Sequence, residues 1–525
     1  MDRSKLYENV VENRRPIDCK VTGSIPDWVD GALLRNGPGM MRIGPDKYNH
    51  WFDGLALLQK YRVKDGKVEY SSLYLESETY KKNMSAQRIV VSEFGTVAYA
   101  DPCKNIFSRL LSYFFPSTYT DNAMVNYVTC GDEVYTATET NAWQRINVED
   151  LSVLQSTNVA KGLVIYAPTA HPHYTHDGTV LNMGMSRATY DIVACKHDAS
   201  AENRLEHSKM AAQIPMADTW NPSYIHSFGL TERFVLLVEM NLRFSLKKAM
   251  MARFTRKSYL DTMSWEERGP TPLHVVDMAT GKELSHRYVT DSALFTFHHA
   301  NSFESACGRF LIADLVAYPT GEVVMKLDYD ELLVRMDGFD TAEEHGKFKR
   351  FTLPLEVDAQ SKVGDDLLAQ FPGGTRCTAV LKEDGSIFCQ PSVLCEYGVD
   401  FPRYNYELCN GRPYHFCYVT TLEHKGNMEG LIKIDCSESK QFGGDKAWRR
   451  EQPGQICAEP VFVPKPGSDV EDEGERPFLL VLDARSFEEI ARAEVDAVVP
   501  HGFHEIFLPN GPFTLEKGKS GRLLL

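Results

Sequence analysis

The sequence predicts an all-β fold of many short strands, and three observations lead to this prediction. Most of the 525 residues lie in segments rich in Val, Ile, Phe, Tyr and Thr. Gly- and Asp-containing turns such as GDE, HDG and KEDGS separate these segments. Four histidines in apolar surroundings are 55, 72 and 206 residues apart. A unit of roughly 70 residues, repeated about seven times, would fit a β-propeller whose blades point these side chains at the axis.

Segments with the character of strands occur along the whole chain. Examples are GDEVYTATET (131–140), RFVLLVEM (233–240), GRFLIADLVAY (308–318) and PFLLVLDA (477–484). Apolar runs of this length between turn residues are typical of strands. The sequence contains no short repeat of the WD type. We expect residues 1–525 to form a single domain with inserted helical segments.

Two segments depart from this pattern. Residues 103–116 read CKNIFSRLLSYFFP, and residues 242–257 read LRFSLKKAMMARFTRK. Apolar side chains recur at every fourth position beside basic residues, which predicts two amphipathic helices. The residues concerned, with Cys103 at the start of the first segment, are Leu110, Leu111, Phe114, Phe115, Leu246, Met250 and Phe254. The pattern alone favours helices that pack on the protein core over helices that contact a membrane.

Composition and charge exclude several classes of protein. The formal net charge is −15 and no basic stripe is present, which argues against nucleic-acid binding. No stretch of about 18 apolar residues predicts a transmembrane helix. The first twenty residues lack the apolar centre of a signal peptide. The twelve cysteines form no CxxC pair, so we expect a cytoplasmic protein with reduced thiols.

Histidines are the most promising reactive residues. Four of the sixteen lie in apolar or aromatic contexts, namely His171, His226, His298 and His504. Three of these have a second histidine nearby, and those neighbours are His173, His299 and His501. Imidazole is a ligand for Fe, Zn, Cu and Ni, but a hydrogen-bonded core histidine is the alternative at each position. The residues alone do not say which member of each pair binds a metal.

Three acidic residues in apolar, strand-like contexts could support a metal site. They are Glu139 in TETN, Asp400 in GVDFPRY and Glu459 in CAEPVFV. A metal-bound histidine usually donates its second ring N–H to a carboxylate, and a buried carboxylate needs such a partner. Capping of strand ends is an equally good explanation. No dinucleotide-binding, P-loop or nucleophile-elbow motif points to another chemistry.

Nine motifs resemble one known family in the same order along the chain. They are NGPG (36–39), YNHWFDGLALL (48–58), RIVVSEFGT (88–96), DPCKNIFS (101–108), TETN (138–141), TAHPH (169–173), SYIHSFGLT (223–231), FHHAN (297–301) and AEPVFVPKPG (458–467). By these motifs, the sequence resembles the animal carotenoid cleavage oxygenases from about Asp18 to Phe507. That family includes enzymes that cleave carotenoids centrally or eccentrically, isomerooxygenases and a retinoid isomerase.

The resemblance implies a seven-bladed β-propeller with a helical cap and one Fe(II) on the propeller axis. It implies that the iron ligands are His171, His226, His298 and His504, and that Glu139, Asp400 and Glu459 lie behind them. Thr138 is expected near the iron, and Phe94 and Phe503 beside the substrate. O2 is the implied co-substrate, and no other cofactor is required.

The resemblance also implies a carotenoid or retinoid substrate, which partitions into lipid. With such a substrate, we expect the two amphipathic segments to face a membrane around the entrance to the site. The protein would then be cytoplasmic and peripherally membrane-associated. Acylation of Cys103 is a further expectation from the resemblance. The sequence makes no prediction of the oligomeric state.

Central 15,15′ cleavage of β-carotene to retinal is the first expected activity. Eccentric 9′,10′ cleavage is the second, followed by isomerooxygenase and retinoid isomerohydrolase activity, and a non-enzymatic carotenoid-binding protein is the remaining alternative. The chain departs from the family in two places. Asp400 stands where the family usually has Glu, which puts its reach to an imidazole in question. A strand is missing before PFLLVLDA, so we expect the last blade to be one strand short.

Overall fold

The computed structural model describes residues 7–104, 120–159, 161–196, 202–290, 292–334, 345–372, 374–422, 430–449, 456–464, 475–476, 480–484 and 486–510. Strands dominate these ranges, and the few helices are short. No helix in the described ranges is long and apolar enough to span a membrane. The predicted all-β class is therefore confirmed.

The strands of the first half, in chain order, are β1 (Ile17–Asp18), β2 (Lys20–Gly23), β3 (Gly31–Arg35), β4 (Pro38–Met40), β5 (Arg42–Ile43), β6 (Asp46–Lys47), β7 (Leu55–Lys64), β8 (Lys67–Tyr74), β9 (Asn126–Cys130), β10 (Glu133–Ala137), β11 (Ala142–Ile146), β12 (Val153–Asn158), β13 (His173–Tyr174), β14 (Val180–Met185), β15 (Thr189–Cys195), β16 (Lys209–Pro215), β17 (Gly229–Leu230), β18 (Phe234–Val238) and β19 (Leu242–Phe244).

The strands of the second half are β20 (Met263–Trp265), β21 (Pro272–Asp277), β22 (Lys282–Glu283), β23 (Tyr288–Thr290), β24 (His299–Glu304), β25 (Phe310–Ala317), β26 (Lys347–Pro354), β27 (Thr378–Leu381), β28 (Ile387–Gln390), β29 (Ser392–Cys395), β30 (Val399–Arg403), β31 (Phe416–Thr421), β32 (Gly430–Asp435), β33 (Lys446–Arg449), β34 (Glu475–Arg476), β35 (Leu480–Asp483), β36 (Glu489–Glu494) and β37 (Glu505–Pro509).

The α-helices are α1 (Glu78–Ala86), α2 (Leu246–Thr255), α3 (Glu322–Met325), α4 (Tyr329–Val334) and α5 (Tyr406–Cys409), with 3₁₀ turns at Trp51–Asp53, Arg204–His207 and Leu260–Thr262. The second predicted helix, residues 242–257, is confirmed only over Leu246–Thr255 as α2, because Leu242–Phe244 form strand β19. It begins after Ser245, whose side chain accepts a hydrogen bond from the N–H of Lys248, and it ends at Arg256, which has a φ of 53°. Of the first predicted helix, only Cys103 and Lys104 lie within the described ranges.

Strand pairing produces consecutive antiparallel sheets of the kind found in propeller blades. Four of them run in the orders β12–β11–β10–β9, β13–β14–β15–β16, β24–β25–β26–β29 and β30–β31–β32–β33. A larger sheet, β17–β18–β21–β23–β28–β27, includes β22 beside β21. Strands β5 and β6 form a hairpin, and β19 and β20 form a separate two-stranded sheet with α2 in the connection between them.

Strands from the two ends of the described chain pair with each other. In the sheet β1–β8–β7–β3–β37, Leu33 of β3 lies opposite Phe507 of β37. In the sheet β34–β35–β36–β2, Lys20 of β2 lies opposite Glu494 of β36. Pairing of this kind closes a ring of blades. The innermost strands also touch across sheets, β37 with β9 and β24 with both β17 and β30. The predicted β-propeller is confirmed.

The predicted seven blades are wrong. Six sheets form complete blades, whereas in the sheet β34–β35–β36–β2 the residues on both sides of Glu475–Arg476 lie outside the described ranges. The described part of the chain thus has six complete blades. Three spacings between four histidines do not determine the number of blades, so the unit of roughly 70 residues is a poor guide to it. The expected loss of a strand before PFLLVLDA falls in a segment outside the described ranges.

Buried apolar side chains fill the spaces between neighbouring sheets. One continuous cluster extends from Leu181 on β14 to Ile434 on β32. Phe295 and Phe348 are fully buried within it. Burial of a large apolar side chain contributes about 1.5–3 kcal/mol. This packing fixes the positions of the strand ends that point toward the axis.

A buried ion cluster joins the sheet of β15 to the sheet of β18 and β21. Nε2 of His274 lies 3.0 Å from Oε2 of Glu239, and Nδ1 lies 2.7 Å from Oε1 of Glu283. Glu239 also accepts hydrogen bonds from Arg243 and from the hydroxyl of Tyr190. Burial opposes a positive charge on His274, but the bonds to the two carboxylates outweigh it and raise its pKa to about 9.

We expect the contribution of His274 to the stability of the protein to be lost at alkaline pH. Because its folded-state pKa lies above the usual value near 6.5, its contribution is complete below about pH 6.5 and is lost as pH rises through about 9. We expect His274→Gln to lower the thermal midpoint clearly at pH 6 and little at pH 10. Thermal unfolding of both proteins across this range checks the prediction. The exposed His207→Gln is the control, and an equal loss at both pH values would contradict the prediction.

Candidate metal centre and cavity

Four histidines from different sheets meet at one point. Each of these histidines lies one to three residues before the start of a strand. The pairs are His171 and β13, His226 and β17, His298 and β24, and His504 and β37. One ligand atom of each lies within 4.8 Å of those of the others. Nε2 of His171 and Nε2 of His226 are 3.0 Å apart. Each histidine stands where an inner strand begins, which explains how residues so far apart in sequence converge.

The chemistry of this cluster fits a metal ion. Burial lowers the pKa of His171 well below its usual value, and the neighbouring imidazoles lower it further. Burial likewise lowers the pKa of His504. Neutral imidazoles carry a lone pair that can bind a metal. Nε2 of His298 is buried and has no hydrogen-bond partner among the described residues, as expected for an atom that binds a metal ion.

The structure separates the two members of each histidine pair. Both ring nitrogens of His173 are engaged, Nδ1 with the hydroxyl of Tyr406 and Nε2 with the carbonyl of Phe228, each at 2.9 Å. Nδ1 of His299 lies 2.9 Å from Oγ of Ser227. His501 stacks on Trp51 with ring centroids 4.7 Å apart. These three histidines are outside the cluster.

A carboxylate lies behind three of the four clustered histidines. Nδ1 of His226 is 2.6 Å from Oε1 of Glu139. Nδ1 of His298 is 2.6 Å from Oδ1 of Asp400, and Nδ1 of His504 is 3.0 Å from Oε1 of Glu459. These contacts orient each ring so that Nε2 faces the centre. The shorter side chain of Asp400 therefore reaches its imidazole directly.

Each carboxylate has further partners that hold its charge and position. The hydroxyl of Tyr318 donates to Oδ2 of Asp400 at 2.5 Å, and that of Tyr224 donates to Oε1 of Glu139 at 2.7 Å. Burial opposes the charge on Glu459, but Arg403 and His504 hold its pKa at about 2. The guanidinium of Arg403 lies 3.7 Å from Glu459.

Several of these residues escaped the sequence analysis. Tyr224 lies two positions before His226, and this spacing is the only signal that could have indicated it. Tyr318 and Arg403 have no comparable sequence spacing from a clustered histidine that could have indicated them. Phe401 has a φ of 55°, a conformation that bulky residues rarely adopt. This conformation places its ring 5.1 Å from that of His298 and 5.5 Å from that of His504.

A cavity of about 1140 Å³ opens onto the cluster. His226, His298 and His504 line it, as do the predicted Thr138, Phe94 and Phe503. The remaining lining is mostly apolar and aromatic, and it includes Trp51, Phe52, Phe297 and Phe401. The ring of Phe297 lies 5.0 Å from that of His226. A long apolar molecule therefore fits beside the four histidines.

Residues of helix α2 and residues 98–101 are part of the cavity lining. The predicted positions Leu246, Met250 and Phe254 are 39%, 65% and 67% exposed. The expectation from the pattern alone, that this helix packs on the core, is therefore wrong for this face. Cys103, two residues after the lining segment 98–101, is exposed. The other predicted membrane-facing residues, Leu110, Leu111, Phe114 and Phe115, lie outside the described ranges.

Comparisons with known proteins agree with the sequence motifs. The chain is 37% identical to the mouse protein named β,β-carotene 15,15′-dioxygenase, with 97% of this chain and 92% of that protein covered. It is 36% identical to the human protein of the same name, with 97% and 95% covered. It is 37% identical to the protein of Pongo abelii named carotenoid-cleaving dioxygenase, mitochondrial, with 96% and 94% covered.

The fold comparison gives the same result at lower identity. The structure matches cobalt-substituted Synechocystis apocarotenoid oxygenase with a TM-score of 0.74 and 20% identity, covering 97% of this chain and 98% of that one. At this identity the match shows a shared fold. The family model described as retinal pigment epithelial membrane protein (RPE65) matches residues 7–509. The chain therefore belongs to the RPE65/carotenoid oxygenase family.

Proposed function

We propose that this protein cleaves a carotenoid double bond with Fe(II) and O2, by central 15,15′ cleavage of β-carotene to retinal. The observation that carries the proposal is the four-histidine cluster at the wall of a large, mostly apolar cavity. The names of the relatives, β,β-carotene 15,15′-dioxygenase in mouse and human, support the same reaction.

The donor set suits iron. Four neutral imidazoles and no thiolate form the cluster, and iron, zinc, copper and nickel all accept imidazole. The requirement for O2 chemistry excludes zinc, and membership of the RPE65/carotenoid oxygenase family favours iron over the remaining metals. When bound, Fe(II) supplies the activation of O2. We propose His171, His226, His298 and His504 as its ligands at the propeller axis.

The protein's own side chains hold the ligands and the substrate. Glu139, Asp400 and Glu459 keep three imidazoles in a fixed orientation. The aromatic cavity walls position the polyene and exclude water. Both oxygen atoms of O2 enter the two aldehydes formed from one double bond, so the reaction needs no external reductant.

Eccentric 9′,10′ cleavage is the second candidate. A relative named carotenoid-cleaving dioxygenase shares 37% identity with the chain, the same value as the mouse 15,15′-dioxygenase. Overall identity thus does not separate the two. YNHWFDGLALL and IFCQPSVL resemble the central-cleaving enzymes most, whereas MSWEER and GFHEIFLP are nearer to the eccentric ones. Isomerooxygenase and retinoid isomerohydrolase activities are further variants on the same scaffold.

Chromatography of the products from β-carotene tests the proposal. Purified, iron-loaded protein is incubated with β-carotene in air and, separately, under argon. We expect retinal alone, formed only in air. An apocarotenal with an ionone would instead assign eccentric cleavage, and conversion of a retinyl ester under argon would assign isomerohydrolase activity. If iron-loaded protein formed none of these cleavage products, the oxygenase proposal would be contradicted.

We also propose that α2 contacts a membrane from which the substrate enters. The exposed Leu246, Met250 and Phe254 lie on this helix, and Leu246 also lines the cavity. Lys247, Lys248 and Arg256 lie nearby in sequence, which is the composition of an interfacial helix. Cys103 remains a proposed acylation site in the same region.

Changing Met250 and Phe254 together to Ser is expected to weaken binding to liposomes roughly tenfold or more, because two exposed apolar side chains no longer enter lipid. Flotation of the protein with liposomes measures this binding. Neither residue lines the cavity, so cleavage of detergent-solubilised substrate should be unchanged. The control is Leu154→Ser with Val363→Ser, which changes two exposed apolar residues that do not line the cavity. Unchanged flotation of the α2 variant would rule out this membrane contact.

We propose the cytoplasm as the compartment. All twelve cysteines are free thiols, which agrees with a reducing compartment. The relative from Pongo abelii is named mitochondrial. Fractionation of cells that express the full chain distinguishes the two locations.

A further inference from the structure

The cavity wall contains one buried acid that does not belong to the metal centre. Glu93 lines the cavity and is 7% exposed. It lies next to Phe94, whose ring is 6.1 Å from that of Phe52. Glu139 and Asp400, the other acids that line the cavity near the cluster, each contact a clustered histidine. The presence of Glu93 in the cavity wall therefore needs an explanation other than support of a clustered histidine.

Only one of the two carboxyl oxygens of Glu93 has a hydrogen-bond partner among the described residues. Oε1 accepts a hydrogen bond from the hydroxyl of Thr120 at 2.7 Å. Among the described residues, no group hydrogen-bonds to the second oxygen. A buried carboxyl group usually satisfies both oxygens, because leaving one without a partner costs about 1–3 kcal/mol.

The neighbouring buried acid Asp53 shows what a purely structural role looks like. Its carboxylate accepts hydrogen bonds from the hydroxyl of Thr96 and from the backbone N–H groups of Gly95 and His50. Asp53 is fully buried and does not line the cavity. Glu93 differs in both respects, since it borders the cavity and has spare hydrogen-bonding capacity.

The surroundings of Glu93 favour the neutral form of its carboxyl group. Burial raises its pKa well above the usual value, and the nearby Asp53 and Asp121 raise it further. A neutral carboxylic acid offers one O–H donor and an acceptor oxygen. A hydroxyl or carbonyl oxygen complements these groups, and a hydrocarbon complements neither.

We infer that Glu93 is a specificity-determining residue that hydrogen-bonds an oxygen atom of the carotenoid in the cavity. This inference rests on the proposed function. It assigns the preferred substrate class as carotenoids that carry a hydroxyl or aldehyde group. A site with a buried polar group discriminates against an analogue that lacks the matching group, because the protein group is then left without a partner.

The test compares substrates within each protein preparation. The value of kcat/KM is measured for β-carotene, for its 3-hydroxylated derivative and for an apocarotenal of the same ring type. The wild-type protein should prefer at least one oxygenated substrate. Glu93→Leu should lower the ratio of oxygenated to hydrocarbon kcat/KM about tenfold, the size expected for one hydrogen bond. Glu93→Gln keeps a donor and an acceptor and should retain most of the preference.

Asp53→Asn is the matched control, because it changes a buried acid of the same region that does not line the cavity. An unchanged ratio in a folded Glu93→Leu protein would overturn the inference, as would an equal change in Asp53→Asn. Cleavage of β-carotene by the wild-type protein shows that the proposed function still holds when the inference fails. A wild-type protein that cleaves none of the three substrates would remove the proposed function and this inference with it.

Discussion

Replacing His298 by Ala is expected to empty the four-histidine cluster of metal and to lower β-carotene cleavage by more than about a hundredfold. Nε2 of His298 is buried with no hydrogen-bond partner among the described residues, while Nδ1 is held by Asp400. Its loss removes a quarter of the donor set and leaves the Asp400 carboxylate without its imidazole. Elemental analysis of the purified variant and its turnover number measure the two effects.

His299→Ala is the matched control for this experiment. The two histidines are adjacent, but His299 contacts Ser227 through Nδ1 and is not part of the cluster. Its variant should keep the metal content of the wild-type protein. If His299→Ala lost the metal while His298→Ala retained it, the assignment within this pair would be reversed.

Replacing Asp400 by Asn is expected to weaken iron binding by about ten- to a hundredfold. The Asp400 carboxylate accepts hydrogen bonds from His298, from the hydroxyl of Tyr318 and from the N–H of Phe401. An amide has one acceptor oxygen and brings its own N–H donors, so at least one buried donor loses its partner. The orientation of the His298 ring is then no longer fixed.

The dissociation constant of iron, measured by competition with a chelator, checks this prediction. Tyr318→Phe removes one of the three donors and leaves the contact to His298, so its effect should be smaller than that of Asp400→Asn. Equal iron affinity in Asp400→Asn and wild-type protein would show that the carboxylate is dispensable. Circular dichroism of each variant confirms that the fold is retained.

Much of the architecture could be predicted because strands have a local signature. Segments such as 233–240 and 308–318 match β18 and β25 closely. The helical period of residues 242–257 likewise predicted α2. Its exposed face could not be predicted from the pattern, because the same period serves a helix on the core and one at the surface. The number of blades could not be predicted, because the spacings of 55, 72 and 206 residues between the histidines are unequal and fit more than one repeat length.

The candidate site was only partly predictable for a similar reason. Apolar context indicated His298 and His299 equally, and which of them faces the axis depends on how β24 pairs with β25. Tyr318 and Arg403 reach the carboxylates from other strands, so they have no fixed spacing from the histidines. Phe401 takes its position from an unusual backbone angle. Such contacts are tertiary, and sequence periodicity does not encode them.

The dependence of cleavage on bound iron tests the central proposal most directly. Metal-free protein is titrated with Fe(II) under argon, and the initial rate of β-carotene cleavage is then measured in air at each iron content. We predict that the rate rises in proportion to bound iron and reaches its plateau at one iron per chain. A cleavage rate that does not change with iron content would contradict the assignment of the four-histidine cluster as the catalytic metal centre.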